Sequence, residues 1–170
     1  SLSNLANLVR GKFSHRPRND SAFYGGNYPF LQTGDIPKDE LFITNHQQTL
    51  NEKGLSVSRL FPKGTLIMTI AATIAEVGIL KYPSCFPDSL VGISAKSDKS
   101  ITEYLFYIIK KSKGRLKSFA PQSAQSNLNL EILNAFEVQV PSLDIQQKIS
   151  EIIRSGSENI ALQKRYIDKL

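Results

Sequence analysis

Apolar positions fall into three regimes along this chain. Up to about residue 95 they come in short runs rich in Ile, Val and Thr, bounded by Gly or Pro, as in buried strands. Runs at 65–70, 76–80 and 89–94 are the clearest, the first following the Pro62-Lys63-Gly64 turn. Residues 30–33 and 41–44 predict two further strands, and 136–140 alternates apolar and polar side chains like a half-buried strand ending at Pro141. Residues 4–13 fit either a short helix or a strand stopped by Gly11. Residues 50–60 are ambiguous around an expected turn at Lys53-Gly54, and the Gly-, Pro- and Asn-rich stretch 14–29 is a polar loop.

The second regime is helical. Leu105, Ile108, Ile109 and Leu116 recur at helical spacing from about Ser100, weakening at Gly114. Ser100 and Glu103 have the spacing of a capping box, in which a hydroxyl and an acid three residues on satisfy free N–H groups reciprocally. After the polar loop 121–127, residues 128–133 predict a short helical turn.

The third regime starts near Asp144. With Ile149 at heptad position d, Ile153, Ile160 and Ile167 fall at a, and Gly156, Gln163 and Leu170 at d. β-Branched a positions favour two-stranded packing, although Gly156 and Gln163 weaken the seam. About 27 residues of helix would reach roughly 40 Å. The expectation is an α+β protein with a mixed, strand-rich domain over 1–141, including one capped helix, and a coiled-coil-type helix over 142–170. Ile149, Ile153, Ile160, Ile167 and Leu170 would form a self-association seam; the alternative is a helix folded back on its own domain.

Composition narrows the function. The 170 residues carry a net charge of +6, and the positive charge is concentrated. Residues 1–18 hold Arg10, Lys12, Arg16 and Arg18 without an acid, and residues 110–117 hold Lys110, Lys111, Lys113, Arg115 and Lys117 without one. Two such patches are a possible footprint for a polyanion; a merely solvated surface is the alternative. The apolar runs are too short for a bilayer span, and no signal peptide is visible. Cys85 is the single cysteine, consistent with a reducing cytoplasm and with a packing role among Tyr82, Pro83 and Phe86.

Catalytic chemistry is not legible. His15 and His46 lack partners at metal-ligand spacing, so no metal site is expected, and no Gly-rich phosphate loop follows a strand. Pro87-Asp88 followed by Ser94-Ala95-Lys96 echoes a nuclease pattern, but Ser94 stands where the second metal-binding acid belongs. Catalytic residues: none are assigned.

Five ordered segments resemble the specificity subunits of type I restriction–modification systems. They are Phe30-Leu-Gln-Thr-Gly34-Asp35-Ile36; Ser58-Arg-Leu-Phe-Pro62-Lys-Gly64-Thr65 with Ala72-Thr73-Ile74 and Val77-Gly-Ile; Cys85-Phe-Pro-Asp-Ser-Leu-Val-Gly-Ile93; Gln125-Ser-Asn-Leu128-Asn129; and Val140-Pro141-Ser-Leu143 with Gln146 and Ile149. The resemblance covers about residues 24–155. Ala72 and Ala75 stand where the family usually has glycine, and the family's opening tryptophan segment is missing. Full-length members carry two recognition domains and two helices, so an excised half or a half-length, dimerising subunit is expected.

The resemblance implies a non-catalytic reader of one half of a split double-stranded DNA target. Its helix would act as spacer and as dock for methyltransferase subunits, which would bind S-adenosylmethionine; no cofactor is expected on this chain. A restriction subunit would join the full complex. The alternatives are a stand-alone nuclease or methyltransferase fragment, or a pure assembly module. Lys12, Arg16, Arg18, Lys113, Arg115 and Lys117 are the candidates for phosphate contacts, which supply affinity. Tyr24, Gln32, Thr33, Arg59, Thr73, Gln122, Ser123, Gln125 and Asn127 are candidates for the DNA-facing surface, where base edges supply specificity.

Overall fold

The computed structural model describes residues 1–120 and 127–167. The chain opens on a one-turn helix, α1 (Leu2–Leu5), running straight into strand β1 (Ala6–Arg10), so the ambiguous first segment is helix and strand in succession. Strands β2 (Tyr24–Phe30), β3 (Phe42–Ile43) and β4 (Gln48–Leu50) follow, then helix α2 (Glu52–Ser56) and β5 (Leu60–Phe61). Next come β6 (Leu66–Thr69), β7 (Val77–Leu80), β8 (Ser84–Cys85) and β9 (Leu90–Ala95). The remaining helices are α3 (Thr102–Lys111), α4 (Lys113–Ser118), α5 (Leu130–Ala135) and α6 (Leu143–Ile167).

The strands form two sheets. The larger has the order β1-β9-β6-β7-β3 and is antiparallel except where β3 runs parallel to β7. The smaller has the order β4-β2-β8-β5. Residue alternation along β6 explains the layering. Leu66 and Met68 face a core completed by Leu105, Phe106, Ile109 and Leu116 of the helices, while Ile67 faces a second cluster with Leu31, Ile43, Phe61 and Phe86. A strand covered on both faces reads as an unbroken apolar run, which is why 65–70 was legible as buried. Where β9 passes Phe61 the contact is close: a Cβ on Gly92 would lie 2.6 Å from the ring, so only glycine fits there. A third cluster, Phe13, Phe23, Phe30, Leu50 and Cys85, closes the smaller sheet.

Register places several turns at one end of the larger sheet. Thr69 pairs with Leu90, Met68 with Val77, and Arg10 with Val91. The 70–76 loop, the 88–89 corner and the end of β1 are therefore neighbours. Buried Thr69 organises the loop: its hydroxyl donates to the Thr73 carbonyl and accepts from the Glu76 N–H at 2.9 Å. Ala72 and Ala75 have φ of 60° and 62°. Both positions where the family favours glycine thus adopt the left-handed conformation, at a cost of roughly 1–2 kcal/mol for each Cβ.

Five sequence expectations fail for identifiable reasons. The polar loop 14–29 gives way at Tyr24 to strand β2, which is paired between β4 and β8. Residues 30–33 are not a strand: β2 ends at Phe30 and Thr33–Asp35 form a 3-10 turn, held by the Gln32 N–H donating to Asp35 Oδ2 at 2.7 Å. Lys53-Gly54 is not a turn but the middle of α2, because Asn51 Oδ1 accepts the Gly54 N–H at 3.0 Å and caps the helix. Residues 136–140 form no strand; Val138 and Val140 instead pack half-buried against the main core. Ser100 is not the cap of α3, which starts one residue later than that box requires. Its hydroxyl donates to the Leu5 carbonyl at 2.7 Å, and Glu103 receives Arg154 of α6 at 3.0 Å.

The group that satisfies the start of α3 is Gln146. Fully buried, its Oε1 accepts from the Ile101 N–H at 3.1 Å, and its Nε2 donates to the carbonyls of Lys99 at 3.1 Å and Pro141 at 2.9 Å. One side chain therefore pins the first turn of α6 to the first turn of α3. The first half of α6 is consequently not a bare arm. Ile149 is half-buried and, with Ile153, borders a groove of about 400 Å³ against Tyr104, Tyr107 and Ile108 of α3. Those first two members of the heptad seam face the chain's own domain, as the folded-back alternative holds. Further along, Ile160 (58% exposed) and Ile167 (68%) are open to solvent, as is Leu162. Leu170 lies outside the described residues.

Candidate nucleic-acid interface

The polar loop after β1 is folded back over the smaller sheet. The Lys12 N–H donates to the Phe86 carbonyl at 2.9 Å and Phe13 bridges to Ser58, which seats Phe13 under the sheet and leaves the Lys12 side chain exposed. Arg16 is exposed and donates to the carbonyls of Phe13 at 2.7 Å and His15 at 2.8 Å. Arg18 donates to Asp88 Oδ1 at 2.5 Å, and Arg10 to the Asp88 carbonyl at 2.6 Å. Asp88 thus has a role unrelated to the nuclease pattern: it fixes two arginines at the end of the larger sheet. Ser94 sits opposite Asn7 towards the other end of β9. Arg59 is exposed, with its guanidinium 3.4 Å from the Arg10 carbonyl.

Asp20 shapes the next turn by accepting the Ala22 N–H at 3.0 Å, and it pairs with His15 at 3.0 Å. That backbone hydrogen bond, aided by His15 and Lys53, lowers the Asp20 carboxyl below its ordinary value. Tyr24 donates its hydroxyl to the Arg18 carbonyl, and partial burial raises its pKa.

Arg18 and Tyr24 border a depression of about 540 Å³ that is also lined by Phe13 and Phe30. Its polar lining comprises Arg18, Asn19, Ser21, Tyr24, Gln32, Gln47 and Gln48, and contains no carboxylate. Gln32, just beyond β2, donates its Nε2 to Oε1 of Gln48 on edge strand β4 at 3.1 Å, so two side-chain amides are fixed side by side. Thr33 opens the adjoining 3-10 turn and is half-buried. Asn19, Gln47 and Gln48 were missed in the sequence. The run Asn45-His46-Gln47-Gln48 puts three hydrogen-bonding side chains between β3 and β4 and a fourth at the start of β4.

The second basic segment is arranged differently. Lys113 pairs with Glu76 at 2.5 Å, and Glu76 is only 12% exposed. Arg115 donates to the Glu137 carbonyl at 3.3 Å and lies over the Phe136 ring at 4.9 Å, while Lys117 is exposed. Lys110 reaches the Lys38 carbonyl at 2.9 Å and Asp39 at 3.5 Å. The depression holding Arg115 is lined by Glu137 and shares no residue with the one holding Arg18. Thr73, at the exposed tip of the 70–76 loop, and exposed Asn127 stand nearby, since the Leu128 N–H donates to the Ile70 carbonyl at 2.9 Å. Gln122, Ser123 and Gln125 lie outside the described residues.

The two segments therefore do not share a cavity. They do share an end of the larger sheet, with Arg10 closing β1 and Glu76 preceding β7. Two strands lie between them, a separation of about 14 Å at ordinary strand spacing. Among the described residues there is no cluster of side chains able to hold a metal ion, and no helix long and apolar enough to cross a membrane.

Residues 2–170 match the family described as the type I restriction modification DNA specificity domain. The chain is 29% identical over 148 residues to the type I restriction enzyme MjaIX specificity subunit of Methanocaldococcus jannaschii, an alignment covering 84% of this chain and 34% of that subunit. Its fold is similar to the HsdS subunit from Thermoanaerobacter tengcongensis, with a TM-score of 0.72 at 14% identity, covering 97% of this chain and 38% of the other. A chain from work on complex assembly and conformational transition of the type I R-M system gives a TM-score of 0.77 at 15% identity, covering 99% and 40%. The S subunit from M. genitalium gives 0.68 at 12% identity, covering 99% and 41%. The chain thus spans about a third to two-fifths of the length of these relatives.

Proposed function

Because the chain belongs to the family of type I restriction modification DNA specificity domains, we propose that it reads one half of a bipartite DNA target and carries no reaction step itself. The observation that carries this reading is the carboxylate-free depression in which Arg18, Asn19, Gln32, Gln47 and Gln48 meet. Amides and a guanidinium match the donor and acceptor pattern of base edges, and Lys12, Arg10 and Arg59 border the same region with positive charge. The phosphate backbone would be met at the shared end of the larger sheet, by Lys12, Arg16 and Arg18 on one side and Lys113, Arg115 and Lys117 on the other. Thr33, Thr73, Asn127 and the segment carrying Gln122, Ser123 and Gln125 would complete the DNA-facing surface.

In this reading α6 is the spacer and the dock for methyltransferase subunits. They would bring S-adenosylmethionine, and the restriction subunit would join the same complex in the cytoplasm. Self-association would use the exposed stretch with Ile160 and Ile167 rather than Ile149 and Ile153, which face α3. Sedimentation of the full chain with Ile160 and Ile167 changed to Asn is expected to reduce the mass to that of one chain; an unchanged mass rejects the seam.

The central test is selection from random duplexes at low salt, with a methyltransferase partner present. Enrichment of a short half-site of a few base pairs is expected. No enrichment rejects DNA reading, and clean turnover by the chain alone, with magnesium or with S-adenosylmethionine, overturns the non-catalytic assignment.

A further inference from the structure

Within the DNA-reading proposal, on which this inference rests, the Gln32–Gln48 pair has a more specific chemistry. Gln48 sits on β4, the edge strand of the smaller sheet, and its side chain is exposed. Its Oε1 accepts one N–H from Gln32 at 3.1 Å, which leaves both Nε2 hydrogens and the second oxygen lone pair of Gln48 open to a ligand. Gln32 is itself half-buried and anchored, because its backbone N–H is held by Asp35 Oδ2 at 2.7 Å. The result is an exposed amide with its orientation set from behind.

An amide offering one donor and one acceptor in a plane is complementary to the adenine edge, which presents an N7 acceptor beside an N6 donor. Arg18 lines the same depression, but its exposed pair with Asp88 orients the guanidinium from one side and its charge suits phosphate as well as bases, so it is the less selective of the two. The depression of about 520 Å³ lined by Phe42, Phe106 and Tyr107 offers no side-chain amide, and its Asp39, Glu40 and Glu158 balance Lys81, Lys110 and Arg154, so it presents no net positive charge to a polyanion. We propose that Gln48, positioned by Gln32, selects an adenine at one position of the DNA half-site.

The test is selection from a random duplex library at low salt with a methyltransferase partner present, run on the full chain and on Gln48→Ala, Gln48→Glu and Gln32→Ala. Because Gln48 is exposed, replacing it should leave the circular dichroism spectrum unchanged, and the nearly isosteric glutamate gives a second route should alanine disturb the fold. Wild type should enrich a motif containing adenine. Gln48→Ala should weaken the adenine preference at one position by roughly tenfold or more, with the others unchanged. Gln48→Glu should move that position towards cytosine, whose N4 amine donates to a carboxylate. Gln32→Ala should blur the same position and no other.

If wild type enriches a motif that both Gln48 variants preserve at every position, or if all positions weaken together, the assignment falls while DNA reading stands. If wild type enriches nothing, DNA reading falls and the amide pair with it.

Discussion

The two basic segments contribute similar charge to the sequence and play different parts in the structure. Residues 10–18 contribute Phe13 and Arg18 to a depression free of carboxylates, and their main acid, Asp88, holds Arg18 from outside with both side chains about half exposed (44% and 46%). Residues 110–117 belong to helices that cover the main core. There Lys113 neutralises Glu76, which is largely buried, and Arg115 covers Phe136. One segment leaves Lys12, Arg16 and Arg18 exposed beside a carboxylate-free depression; the other commits much of its charge to its own domain. A count of lysines and arginines cannot separate these uses, because the difference lies in which acids the fold brings to them.

The largest effect that could break this contrast is on DNA binding. Changing Lys12, Arg16 and Arg18 together to Ala should weaken binding to every duplex and flatten the dependence of log affinity on log salt by about 2 to 3, at roughly 0.9 for each phosphate left without its cation. The matching change of Lys113, Arg115 and Lys117 should flatten it by about 1, mostly through exposed Lys117. Titration of both variants between 50 and 200 mM salt, a range of roughly 10³–10⁵ in affinity for a protein that neutralises many phosphates, resolves the difference. Equal slopes would erase the contrast.

Stability should rank the segments the other way. Lys113→Ala leaves the Glu76 carboxylate buried without its partner, which should cost about 1–3 kcal/mol. Arg18→Ala breaks an exposed pair and should cost about 0–1 kcal/mol. Urea unfolding measures both, and adding Glu76→Gln to Lys113→Ala should restore part of the loss. If Glu76→Gln restores nothing, the pair is not what ties α4 to the sheet.

Much of the scaffold was legible because its signals are local. The strands β6, β7 and β9 are apolar runs closed by Gly, Pro or Asp, and no distant group alters them. The failures come from interactions across the chain. Ser100 has the sequence of a cap, but its hydroxyl is taken by Leu5, 95 residues away, and the free N–H of Ile101 is met by Gln146, 45 residues away. Residues 136–140 have the alternation of a strand and find no strand to pair with. The heptad pattern was real as a helix over Leu143–Ile167, but periodicity does not say which partner the first turns meet. For the candidate site, Arg18, Tyr24 and Gln32 were accessible from composition and resemblance. Gln47 and Gln48 were not distinguished from an ordinary polar loop, since their significance depends on β4 lying beside β2.

The smallest effect concerns the loop that presents the first segment. Asp20 is held below its ordinary pKa of 3.8 chiefly by the Ala22 N–H, with His15 and Lys53 adding to it. A carboxyl depressed in the folded state contributes stability that is present above its unfolded value and lost as pH falls through the folded one. The turn at 20–23 should therefore tighten the Arg18 side of the molecule at neutral pH and release it only below about pH 4. Asp20→Asn removes the charge at every pH, so the unfolding midpoint of that variant should vary less than wild type between pH 5 and pH 2, and the two curves should converge at the acid end. Amide exchange at Ala22 should speed up in acid relative to the intrinsic rate in wild type. Should Asp20→Asn reproduce the wild-type pH curve throughout, the carboxylate does not organise this loop, and the ordered presentation of Arg18 must come from Asp88 and Tyr24.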